Sequence, residues 1–344
     1  MPNPLKSRRV LSAFCLLSAV LAAPALAGGE VNIYSARKED LIKPLLDDFS
    51  KRTGISVNLV TGKEEALLQR LQSEGANSPA DLFLTTDAGR LSAARKAGVL
   101  QAVKSDTLAA RIPAAYRDPE GYWYGLSVRA RPIIHAKDRV KPADFSTYEA
   151  LADPKWKGKI CVRSSDSVYN QSLVAGLISH HGEAKTEAWA KGLVANFARP
   201  PKGGDRDQIK AVAAGECDVT LANTYYLGGM VSSGDESEKQ AAAKVAVFWP
   251  DAKTTGTHVN VSGAGVAAHA RNRDNAVKLL EFLAGDSAQR WYAETNNEYP
   301  VNPAIPPSAT LKAWGEFKAD TLNVAKLGEL NAAAVQLMDR AGWK

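Results

Sequence analysis

Three tyrosines stand where strand-like segments give way to helical ones. Cys217 to Ala222 reads as a strand that runs directly into Asn223-Thr224-Tyr225-Tyr226, and Tyr169 follows a strand and loop spanning Cys161 to Val168. Neighbouring residues on a regular helix point about 100° apart, so Tyr225 and Tyr226 are expected to share a ligand only at an irregular junction. Tyrosines in such places commonly fill a core or rim and hydrogen-bond their hydroxyl. Three that converge offer other chemistry. A phenol keeps its proton up to about pH 10, unless a hard trivalent cation displaces it as a metal displaces the proton of a coordinating thiol. Three phenolates balance the charge of Fe(III) and fill half an octahedral shell, leaving the rest to water or a small anion. Zinc prefers cysteine and histidine in tetrahedral sites. Calcium wants several carboxylates and carbonyls, and no such loop is evident here.

Arginines are the natural holders of that anion, because a guanidinium forks onto two oxygens of a carbonate or carboxylate. Arg37 follows the first strand, while Arg129 and Arg131 alternate onto one face of a long strand read over Gly125 to His135. Arginines in surface ion pairs fit the same pattern equally well. His180 and His181 read as a solvent-facing helix end and His258 as structural. The Gly-x-Ser-x-Gly elbow, the His-Glu-x-x-His pair and the Gly-Lys-Ser/Thr phosphate loop are absent, which argues against the common hydrolase and nucleotide chemistries.

The elements that carry these residues alternate. Val31 to Tyr34 is strand-like, and Leu41, Ile42, Leu45, Leu46 and Phe49 recur at helical spacing, with Asp40 expected as the cap and Gly54 as the stop. Ile55 to Leu59, a helix around Leu67 to Leu71 and Asp81 to Leu84 continue the pattern. Such alternation predicts a parallel sheet between helices, with ligands at the carboxyl ends of its strands. Tyr34 to Arg37 and Thr85 to Asp87 lie at such ends. Lys159 to Val162 and helical patterns near 170–181, 185–197 and 205–214 form a second run of α/β units.

The chain opens with Lys6, Arg8 and Arg9, an apolar run from Val10 to Pro24, and Ala25-Leu26-Ala27. That is the pattern of a cleaved secretory signal over residues 1–27, and the run falls short of the ~20 residues that span a bilayer. Cys15 follows Phe14 where a lipoprotein signal wants a small residue. Of 43 basic against 37 acidic residues, the leader holds three basic and no acidic ones. The remainder is weakly basic, without the concentrated face of a nucleic-acid binder. Two cysteines remain, Cys161 and Cys217. An oxidising compartment invites their pairing, although spacing alone leaves two buried thiols equally open. About 317 residues exceed one common core and predict two lobes without a linker.

Six segments occur in an order that resembles the periplasmic ferric-ion-binding proteins of bacterial ABC importers. They are Tyr34-Ser35-Ala36-Arg37, Ser78-Pro79-Ala80-Asp81, Arg129-Ala130-Arg131, Gly203-Gly204-Asp205-Arg206-Asp207-Gln208, Asn223-Thr224-Tyr225-Tyr226 and Gly256-Thr257-His258-Val259-Asn260-Val261-Ser262-Gly263. The resemblance implies a two-lobed type II periplasmic-binding α/β fold, each lobe a mixed, mostly parallel sheet flanked by helices, with hinge strands between. Residues 28–126 and 258–302 would form one lobe, and 127–257 and 303–344 the other. It implies Fe(III) held by Tyr169, Tyr225 and Tyr226, with carbonate as a synergistic anion on Arg37, Arg129 and Arg131. Some members carry a histidine and a tyrosine after the first motif, where this chain has Lys38 and Glu39. Glu39 or Glu64 is a possible additional ligand. The implied role is non-enzymatic capture by a monomer that delivers iron to an inner-membrane ABC permease. A cleft for an organic cation such as thiamine or a polyamine, with the tyrosines as an aromatic box, is the alternative.

Overall fold

The computed structural model describes residues 28–344, and the leader expected at 1–27 lies outside the described residues. Among the described residues eleven strands form two sheets. β1 (Glu30–Ser35), β2 (Ser56–Thr61), β3 (Leu82–Thr85), β4 (Leu100–Gln101) and β5 (Tyr124–Ala130) open the chain. β6 (Ile133–Ala136), β7 (Ile160–Cys161), β8 (Val219–Leu221) and β9 (Val245–Phe248) follow, then β10 (Val259–Ala267) and β11 (Tyr299–Pro300). The first sheet runs β11-β5-β10-β3-β1-β2 with β4 against β10, and the second runs β7-β8-β6-β9. β1, β2 and β3 are parallel, as are β7 and β8, whereas β5 and β10 are antiparallel. Each sheet is therefore mixed. Val31, Ile33, Leu82, Phe83 and Leu84 are buried on both faces of the first sheet, as parallel strands between helices must be.

Local chemistry explains the element ends. The first helix runs Lys43–Thr53 with Pro44 in its opening turn, where a missing N–H is tolerated, and Gly54 closes it in the left-handed region at φ 73°. Asp40 does not cap it. It lies in a separate 3₁₀ turn over Glu39–Leu41, after which Ile42 resets the backbone. Leu279, Leu280 and Leu283 of the helix Arg273–Leu283 are fully buried, each worth about 1.5–3 kcal/mol relative to exposure.

The long strand expected over Gly125–His135 is two strands in two sheets. Pro132 lacks the N–H a ladder needs, so pairing with β10 stops at Ala130 and resumes in the second sheet at Ile133. Arg131 N–H donates instead to His258 O at 3.0 Å. The chain thus leaves the first sheet at 130/131 rather than at the 126/127 boundary expected from the sequence. It returns between β9 and β10. The C-terminal stretch then packs on both lobes, its helix Ala325–Glu329 touching Ala88–Lys96 of one and Val168–His181 of the other. Cys161 and Cys217 are bonded, with Cα atoms 5.9 Å apart, tying β7 to the turn before β8. Among the described residues no helix is long and apolar enough to cross a membrane.

Candidate metal centre

Two helices begin at the mouth between the lobes. Thr224–Val231 starts after the two residues that follow β8, with Asn223 extended at its cap position, and Val168–His181 starts after the loop that follows β7. Tyr225 and Tyr226 occupy the first turn of one helix and Tyr169 that of the other. Tyr225 Oη donates to Tyr169 Oη at 3.0 Å. The Tyr225 and Tyr226 ring centroids are 4.3 Å apart, and those of Tyr169 and Tyr226 are 6.4 Å apart. The two neighbours therefore share a site from within a helical turn, and the irregular junction expected for them is not needed. Being in the first turn, both side chains are free to lean past the helix end, and the rings tilt by 36° to lie side by side.

These rings line a cavity of about 490 Å³ whose other walls include Arg37, Lys38, Arg129, Arg206 and Glu298. Burial, and then repulsion from Tyr226, pushes the Tyr169 hydroxyl well above the ordinary phenol value, and Arg129 pulls it part of the way back. Burial and the neighbouring phenols push Tyr225 up in the same way. At neutral pH both hydroxyls are therefore protonated.

The arginines divide into two roles. Arg129, 2% exposed, donates to Ser262 Oγ at 2.9 Å and to Val261 O at 3.2 Å, with its guanidinium carbon 5.5 Å from the Tyr169 ring centroid. Arg37 is ion-paired with Glu298 and sits over the Tyr292 ring. Both leave a buried Nε–H with no hydrogen-bond partner. Buried donors are nearly always satisfied, so two orphans beside one cavity fit an anionic ligand. Arg131 does not line that cavity. Its terminal nitrogens donate to Asp205 at 3.1 Å, Asn223 at 3.0 Å and Asn170 at 2.6 Å. It therefore fixes the cap of the Tyr225 helix and the residue after Tyr169, while its own Nε–H, like those of Arg37 and Arg129, is buried without a partner.

The acidic candidates lie elsewhere. Glu39 is exposed on its 3₁₀ turn. Glu64 accepts from Thr86 N at 2.8 Å and from the Thr85 and Thr86 hydroxyls, facing Arg90 rather than the tyrosines. Among the described residues no cluster of three His, Cys, Asp or Glu side chains is placed to hold a metal. His258 is buried and held neutral, lowered to about 3 by burial and by Arg131 and Arg129.

Glu298, Arg206, Lys38 and Ser262 escaped sequence reasoning as site residues. Arg206 and Ser262 lie inside segments already singled out. Lys38 was considered only as the residue standing where others carry a histidine. Glu298 follows Asn297, a left-handed residue at φ 54° after the helix Asp286–Asn296, and no periodicity marks it.

The family model described as bacterial extracellular solute-binding protein matches residues 45–319. Iron uptake protein A1 of Synechocystis is 50% identical over 315 residues, covering 92% of this chain and 88% of the relative. A Trichodesmium FutA structure in complex with iron and citrate ligands is 52% identical with a TM-score of 0.90, covering 92% of this chain and 100% of that one. An open-conformation ferric iron-binding protein A from Mannheimia haemolytica is 45% identical with a TM-score of 0.87, covering 92% and 99%. This chain belongs to the bacterial extracellular solute-binding protein family, alongside its iron-uptake and ferric-iron-binding members.

Proposed function

We propose that this protein captures Fe(III) in the periplasm and delivers it to an inner-membrane ABC permease, acting by binding rather than by catalysis. Tyr169, Tyr225 and Tyr226 are the metal ligands, supplied by the second lobe as phenolates. Arg37 and Arg129 hold a synergistic anion, carbonate or a similar small oxyanion, that completes the coordination shell. Residues 28–130 and 259–302, which carry the first sheet, act as one jaw and 131–258, which carry the second, as the other, closing as a monomer around the ion. The ion shifts the open–closed balance only as far as it prefers the closed form.

The observation that carries this reading is the meeting of three phenol rings with two buried arginines, each arginine with an unpartnered Nε–H. Names borne by close relatives point the same way. The organic-cation alternative is disfavoured because Arg37, Lys38, Arg129 and Arg206 line the same cavity and its one carboxylate, Glu298, is already paired with Arg37, whereas Fe(III) draws its own counter-charge from the phenols.

The test is a visible titration of metal-stripped protein, lacking residues 1–27, with ferric citrate, with and without bicarbonate. A phenolate-to-iron charge-transfer band that saturates at one equivalent supports the reading, and its dependence on bicarbonate reports on the arginines. No band under either condition overturns it.

A further inference from the structure

Glu298 is a carboxylate inside a site built to receive negative ligands, and nothing in the metal chemistry above uses it. It is 4% exposed and ion-paired with Arg37. Its other oxygen lies 3.5 Å from the Ser262 hydroxyl, which in turn accepts from Arg129 at 2.9 Å. One acidic side chain therefore touches the first guanidinium directly and reaches the second through a single hydroxyl. It is also firmly placed. Its backbone N–H donates to Tyr292 O at 3.2 Å, and the next residue, Tyr299, pairs with Val128 beside Arg129. The preceding Asn297 packs against Gly228 of the tyrosine-bearing helix, so closely that a Cβ on Gly228 would lie 2.6 Å from the Asn297 side chain.

We propose that Glu298 sets how much negative charge the cleft accepts alongside its cargo. This rests on the ferric reading above. Asp87 also lies 4.0 Å from the Arg129 guanidinium, so Arg37 and Arg129 face two carboxylates, and Glu298 when ionised lowers the positive charge they present by one. A small anion of low charge is then matched to the pair, and a polycarboxylate brings negative charge that the buried groups cannot balance. A buried carboxylate that merely held Arg37 in place would not alter this preference. One that sets the charge must.

The experiment titrates the metal-stripped protein lacking residues 1–27 with Fe(III) supplied with either bicarbonate or citrate as the sole added anion, reading the charge-transfer band. A unit charge several ångströms from the anion at an effective dielectric near 20 changes the citrate-to-bicarbonate affinity ratio by at least about tenfold. Glu298→Gln is expected to move that ratio toward citrate by that factor, with a displaced band maximum. Glu298→Asp, which keeps the charge, is expected to stay near the parent ratio. An unchanged ratio in folded E298Q overturns the proposal. Should E298Q fail to fold, the parent protein carries the test: it is expected to bind Fe(III) more tightly with bicarbonate than with citrate, and a parent preference for citrate overturns the proposal. Absence of any band in the parent protein with either anion defeats the ferric reading itself, a separate outcome from an unmoved ratio.

Discussion

Proton release on iron capture should count the phenols. An ordinary phenol near pKa 10 is about 0.1% ionised at pH 7, and burial pushes Tyr169 and Tyr225 higher still. Each unit of that elevation weakens binding by about 1.4 kcal/mol, because the cation must displace a proton that is held more tightly. With all three tyrosines ligating as proposed, three phenolates form at the expense of three protons, and in this pH range apparent affinity should rise about a thousandfold per pH unit from the phenols alone. Tyr225→Phe removes one titrating ligand, and with it the hydroxyl that donates to Tyr169 at 3.0 Å. It should lower the count by one and the slope to about a hundredfold per unit. The assay is a titration of weakly buffered protein with ferric nitrilotriacetate between about pH 6.5 and 7.5, with a pH-indicating dye. Protons exchanged by the chelate cancel in the difference between parent and variant. Equal release from the two would refute the claim that Tyr225 is ionised by the cargo.

His258 and Asp87 should pull acid stability in opposite directions. His258, lowered to about 3, stays neutral in the fold while the unfolded side chain protonates near 6.5, so its contribution is full above 6.5 and is lost as pH falls toward 3. That loss is about 2 kcal/mol at pH 5. Asp87 is raised to about 6, mainly by burial, so its contribution is full below its ordinary carboxylate value of 3.8 and disappears as pH rises through 6. Urea midpoints at pH 7 and pH 5 should therefore converge for His258→Gln relative to the parent, and an unchanged gap would contradict the assignment. Trp343 is fully buried against Trp189 and Phe197 and donates to Arg163 O at 2.9 Å. Trp343→Ala should lose about 3–5 kcal/mol in denaturant unfolding, and a loss under 1 kcal/mol would mean that the chain end is not anchored there. Cys161 and Cys217 are 56 residues apart. Replacing both with alanine should cost about 4 kcal/mol by loop-closure entropy, measured as a lowered melting midpoint that added reductant does not lower further.

The alternation of strands and helices was legible because each buried strand is a short apolar run and each helix repeats at its own period. Tyr225, Tyr226 and Tyr169 were legible as a group because the pair directly follows one strand pattern and Tyr169 follows another through its loop, and strand ends are where such sheets gather ligands. The break at Arg131–Pro132 was misread, since apolar alternation runs straight through it while the pairing partner changes. Arg129 and Arg131 look alike in sequence, two residues apart, yet one faces the cavity and the other is enclosed by Asp205, Asn223 and Asn170. That difference depends on partners 39 to 92 residues away. Glu298 was invisible for the same reason, as its partner Arg37 lies 261 residues before it.

The position of β10 has a consequence for the order in which the chain can fold. β10 lies inside the first sheet, between β5 and β3, with β4 against it as well. The sheet that begins at residue 30 therefore cannot close until residues 259–267 have been synthesised. Every strand of the second sheet, from 133 to 248, is complete before then. A nascent chain shorter than about 260 residues can assemble its later half while its earlier half still exposes the unpaired edges of β3 and β5. The amino-terminal jaw is thus the last to become solid.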